Sequence, residues 1–159
     1  MTCSHDPLEG SAYRWSVPHD LRSRDDVERL VVEFYRRAFA DPLIGPIFTD
    51  IAHMDLGAHL PIMCDFWETV LFRAGVYRRN ALQVHRDLHA LTPLLPEHFD
   101  RWLLVWNGAV DDLFAGEKAQ LAKVQADRIA GSIGRRLAGS SGSGFETIGT
   151  RPVPREGEA

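Results

Sequence analysis

Residues 59–89, HLPIMCDFWETVLFRAGVYRRNALQVHRDLH, constrain the fold more than any other stretch. A histidine opens an apolar helical pattern, a Gly-containing segment breaks it, and a short apolar segment with two more histidines closes it. The spacing predicts a helix over about 58–73, in which His59, Met63, Phe66, Trp67, Val70 and Leu71 share one broad face. Pro61 fits such a helix if it sits in the first turn, where its missing N–H is not needed. Residues 74–80 read as a loop and 81–90 as a short helix. Two helices that each offer an imidazole toward one oily space suit a flat apolar ligand with a metal at its centre.

The remaining pattern is helical too. Ser23 followed by Asp25 and Asp26 reads as a cap and an acidic first turn. Val27, Leu30, Val31, Phe34, Tyr35, Ala38 and Phe39 then recur at helical spacing until Asp41-Pro42 stops them. LIGPIF (43–48) is expected to be a tight, packed apolar corner, and LTPLLPEH (91–98) a proline-marked turn. Phe99, Trp102, Leu103, Trp106, Ala109, Val110 and Leu113 mark another helix. Leu121, Val124, Ile129, Ile133 and Leu137 mark a last one over about 117–138. No segment reads as a strand. The expected organisation is an all-α domain over 23–138, with a flexible N-terminal extension (1–22) and a disordered Gly/Ser- and Pro-rich tail (139–159).

Length and charge narrow the function classes. A chain of 159 residues with 45% hydrophobic content can bury one proper core. The net charge of −4, with acids and bases interspersed, offers no basic face for nucleic acid and no polybasic membrane anchor. No apolar run approaches transmembrane length, and the first residues lack the layout of a signal peptide. Cys3 and Cys64 lie far apart and make no disulfide framework, so a cytoplasmic location is expected.

Several side chains could carry chemistry. An isolated histidine such as His85 is most often a surface residue near a helix end, where a cation is mildly favoured. Here Leu82, Leu88 and approximately Val84 line its side, an apolar setting in which a neutral imidazole would find a metal as partner. A bond from its other ring nitrogen to a backbone carbonyl would fix tautomer and ring plane. His89, four residues on, completes a bare HxxxH, but the glutamate that zinc hydrolases need after the first histidine is Arg86 here. No CxxCH occurs, so a haem would not be attached through thioethers. Tyr35 and Trp102 read first as large core fillers with satisfied polar atoms.

Taken together, LVVEFYRRAF, LIGPIF, HLPIMCDFW, VHRDL and HFDRWLLVW resemble the truncated haemoglobins, specifically group III. The likeness covers about residues 24–137. Groups I and II usually carry paired-glycine motifs near the corner and after the distal helix, whereas this chain has only Gly45 there. The resemblance implies a shortened globin, a two-over-two helical sandwich around haem b. It implies His85 as the proximal iron ligand, and Tyr35, His59 and Trp102 as distal hydrogen-bond donors. Phe48 would pack on the haem and Met63 would lie one turn beyond His59, while Phe66, Trp67, Leu71 and Val105 would form apolar wall. His89 drops out, since only His85 falls on the ligand position. The chain departs from the family where Gly-Asn-Pro is common before the proximal segment: it reads Arg79-Asn80-Ala81, with Arg78 and Arg79 as candidate haem-propionate partners.

The function so implied is binding of dioxygen and other diatomic gases (nitric oxide, carbon monoxide) at a five-coordinate iron. Donors aimed at a bound gas that carries partial negative charge stabilise it by roughly 1.5–3 kcal/mol each, enough to slow escape more than tenfold. The alternative is a haem redox enzyme, peroxidase-like or a nitric-oxide dioxygenase, served by an unidentified reductase because the chain shows no reductase domain. A third reading is a helical bundle without cofactor, its histidines and tryptophans merely structural.

Overall fold

The computed structural model describes residues 17–139, all of them helical or in connections. α1 (Arg24–Ala40), α2 (Leu56–Phe72), α3 (Ala81–Leu91), α4 (Pro96–Leu113) and α5 (Glu117–Leu137) follow in order, with one π-helical turn, Ile47–Ile51, between α1 and α2. α1 pairs with α2 and α4 with α5, and α1 crosses onto α4 to join the pairs. α2 and α3 both reach α5.

Local chemistry sets the ends of these elements. The Ser23 hydroxyl accepts from the Asp26 N–H at the start of α1. After α1, Asp41 Oδ1 accepts from the N–H groups of Leu43 (2.9 Å) and Ile44 (3.1 Å), and its other oxygen meets Arg101 of α4 at 3.0 Å. That carboxylate folds the corner inward and buries Ile44 and Ile47. Gly45 is required there, because a Cβ would lie 2.6 Å from the Phe39 carbonyl oxygen. The apolar corner is thus packed as expected, and its second half winds into the π turn that carries Phe48.

Two boundaries differ from the expectation. α2 starts at Leu56, capped by Asp55, so Pro61 lies in the second turn and not the first. α4 starts at Pro96, so the last residues of the expected proline turn are already helical. At the first start the Asp55 side chain accepts from the Ala58 N–H, and at the second the Leu95 N–H donates to His98 Nδ1 at 2.9 Å.

The core lies among α1, α2, α4 and α5. Trp67 of α2 stacks on Trp106 of α4 (4.2 Å between ring centres, 17° between planes). Trp106 in turn lies parallel to Trp102 (5.8 Å, 2°), and Phe34 meets both Trp102 and Trp106 edge-on at 5.5 Å. α5 answers this bulk with Ala119, Ala122, Ala126 and Ala130, all buried, so that its backbone comes close enough for the Ala122 carbonyl to accept from Trp106 Nε1 at 3.2 Å. Val124, expected on this buried face, is exposed, because the small residues take the contact.

Residues 19–22, assigned from sequence to a flexible extension, are docked. Leu21 is 1% exposed. Asp20 caps α5, accepting from the N–H groups of Lys118 and Ala119 at 2.9 Å each. Burial works against the Asp20 charge, yet these bonds and one from Leu21 outweigh it and hold the carboxyl below its usual value. The expectations for 1–16 and 140–159 lie outside the described residues.

Candidate functional site

α3 is amphipathic, yet none of its residues is buried. Its start is built locally: the Asn80 side chain accepts from the Gln83 N–H at 3.1 Å, so the Arg79-Asn80-Ala81 sequence still supplies a cap. The preceding loop folds back on α2, where Thr69 Oγ1 accepts from the N–H groups of both Val76 and Tyr77 at 3.1 Å.

His85 lies one turn into α3. Its Nδ1 is 2.7 Å from the Ala81 carbonyl oxygen. That oxygen can only accept, so Nδ1 carries the proton and Nε2 keeps its lone pair. The partner is a main-chain carbonyl and not a carboxylate. His89 is differently engaged: its Nδ1 accepts from the Leu94 N–H at 2.9 Å, which closes the turn into α4. Two imidazoles four residues apart therefore have separate tasks, and no cluster of three or more metal-ligating side chains occurs among the described residues.

His59, on α2, points inward. Its Nε2 lies 2.9 Å from the Tyr35 hydroxyl. Burial lowers the His59 pKa from its usual value, and the charges of Arg79 and His85 push it the same way. Tyr35 is buried to 4% exposure among Phe34, Phe39 and Phe48, with ring centres at 5.0, 5.6 and 5.8 Å. Burial, then the nearby Cys64, raises the Tyr35 phenol well above its usual pKa, so it stays protonated.

The other expected residues fall into two groups. Phe48, Met63, Phe66, Trp102 and Val105 are half-buried and lean on the core without being enclosed by it. Trp67 and Leu71 are enclosed, at 3% and 1% exposure, and keep almost no surface for anything else. The two α4 tryptophans divide the same way. Trp106 donates to Ala122, whereas Trp102 finds no acceptor for its indole N–H among the described residues. Tyr77, which the sequence reading passed over, stands edge-on to Phe66 at 5.1 Å. A lone aromatic residue in a short loop was the one available signal for it. Arg78 and Arg79 are exposed on the loop before α3.

The chain shares its fold with a solved structure, the group III truncated haemoglobin from Campylobacter jejuni, at a TM-score of 0.67. The two are 24% identical over 76% of this chain and 95% of that one. The fold class is therefore the one expected: all-α and globin-like, in the shortened two-over-two arrangement. No protein-family model and no curated protein sequence matches the chain. Among the described residues no helix is long and apolar enough to cross a membrane.

Proposed function

We propose that this chain is a haem-binding globin that holds dioxygen or another diatomic gas at iron carried by His85. The observation that supports this best is the state of His85: one nitrogen is fixed by a carbonyl, and the other has no partner among the described residues, on a helix none of whose residues is buried. The residues fit haem. Phe48, Met63, Phe66 and Val105 supply apolar surface that the core leaves half-covered. Trp67 and Leu71, already enclosed, support that wall from behind rather than touch the ligand. Arg78 and Arg79, exposed on the loop before α3, would supply cations for the carboxylates of a propionate-bearing ring. With no CxxCH to form thioethers, the haem would be of the b type.

Bound haem would supply the iron at which the gas is held. The protein's own part is to orient, donate and exclude water. The Ala81 carbonyl fixes the plane of the His85 ring. On the other side, Tyr35 and Trp102 offer O–H and N–H donors, with His59 behind Tyr35. Such donors stabilise a ligand of partial negative charge and slow its escape.

The alternative redox reading, peroxidase-like or nitric-oxide dioxygenase, needs an external reductase. The carbonyl behind His85 weighs against strong peroxidase character, since a carboxylate there would raise the basicity of the ring more. The test is an absorption spectrum of the purified protein: ferric, dithionite-reduced, then with carbon monoxide. A Soret band that shifts at both steps is expected. Absence of the band after haem supplementation would sink the proposal. Peroxide turnover well above that of free haemin would favour the redox reading.

A further inference from the structure

Tyr35 and His59 share one hydrogen bond, and either partner can be its donor. The Tyr35 ring is fixed by its aromatic neighbours, and the His59 main chain is fixed by its own N–H bond to the Asp55 carbonyl at 2.9 Å. Within the bond itself, the hydroxyl hydrogen and the imidazole proton can shift without moving a heavy atom. No other group among the described residues bonds to the phenolic oxygen or to His59 Nδ1. A neutral imidazole has one donor and one acceptor nitrogen. If His59 donated from Nε2 while the pocket held no acceptor, the buried Tyr35 O–H would be left unsatisfied, which is costly. If Tyr35 donates to Nε2 instead, it has nothing left to give a ligand.

We infer that Tyr35 and His59 form a ligand-linked tautomer switch, in which an acceptor ligand turns the Tyr35 hydroxyl into the pocket and moves the His59 proton from Nδ1 to Nε2. One proton leaves Nδ1 for solvent and one arrives at Nε2, so the ring stays neutral and no net proton is exchanged. The half-exposed position of His59 allows that exchange, and its lowered pKa keeps the ring neutral near pH 7, as the switch needs. His59 is then not a third donor to the ligand. It is a positioning residue that acts through the phenolic oxygen, and the pair selects ligands by how well they accept a hydrogen bond. This rests on the haem reading of the pocket.

The experiment is nitrogen NMR of the full chain with 15N-labelled histidine. It compares the haem-free protein, the reduced haem protein with carbon monoxide (a poor acceptor), and the same protein with dioxygen (a good one). Nε2 of His59 should be unprotonated in the first two and protonated in the third. In Tyr35→Phe, the carbon monoxide and dioxygen forms should show the same His59 tautomer. An unchanged tautomer across all three states of the wild type would overturn the switch. A chain that shows no Soret band loses both the haem reading and the switch, whereas a haem-loaded chain with a fixed tautomer loses the switch alone.

Discussion

α5 and α3 are both amphipathic helices on the same side of the fold, and they differ in what covers their apolar faces. α5 closes against α4 and α2 with a run of alanines, and five of its residues are buried: Ala119, Ala122, Ala126, Ala130 and Ile133. α3 touches α5 yet buries none of its own. The α5 face finds its complement in protein. The α3 face, which carries His85, stays only half-covered. An apolar helical face left open within a well-packed domain is the mark of a surface that a ligand completes.

The comparison is broken most sharply at His85. His85→Ala is expected to abolish haem retention, read as loss of the Soret band per mole of protein. It should leave the unfolding midpoint of the haem-free protein nearly unchanged, because α3 contributes nothing buried. An equal loss of stability in the haem-free protein would show that α3 belongs to the core after all. Trp106→Ala tests the opposite half. It should cost about 3–5 kcal/mol in urea unfolding, since it opens a cavity and removes the indole N–H bond to the Ala122 carbonyl. Trp102→Phe keeps an aromatic ring against Phe34 and Trp106 and removes the indole N–H. Dioxygen release should quicken by about tenfold with little change in stability, as expected for the loss of one hydrogen bond to a partially charged ligand.

Two smaller effects concern charge. Asp20→Ala should destabilise by about 0.5–2 kcal/mol through loss of the α5 cap. Because the folded protein holds the Asp20 carboxyl below its usual value, this contribution is present above that value, 3.8, and fades as pH falls further. His59 has the same sign in a higher pH window. The fold lowers its pKa, so as pH drops below 6.5 the unfolded chain takes up the proton first and stability declines. His59→Gln should flatten that part of the stability profile between pH 7.5 and 5.5, and a profile unchanged by the substitution would refute the assignment.

Much of this was readable in the chain. The α1 period from Val27 to Ala38, the Ser23 cap and the packed corner around Gly45 follow from spacing and local sterics, and they appear where expected. The alanine face of α5 was not readable, because alanine carries too little hydrophobic weight to mark a buried stripe, and Val124 drew attention to the wrong side. The docking of Leu21 and Asp20 was hidden for another reason: the partner N–H groups belong to Lys118 and Ala119, far along the chain, and no local pattern announces them.

The same division runs through the site. The sequence by itself determined an all-helical chain, the residue types around a pocket and the two helices that carry His59 and His85, because helical periodicity is a short-range property. Only the tertiary structure decided which side chains have surface to spare. Trp67 and Trp102 look alike in sequence and flank Trp106 in one row of stacked indoles, but the first is enclosed and the second only half-buried. Likewise, His85 and His89 sit one turn apart, yet one ring is fixed by the carbonyl behind it and the other is consumed by a turn. Those two bonds are local, spanning four and five residues, whereas the burial that separates Trp67 from Trp102 exists only once the helices have packed.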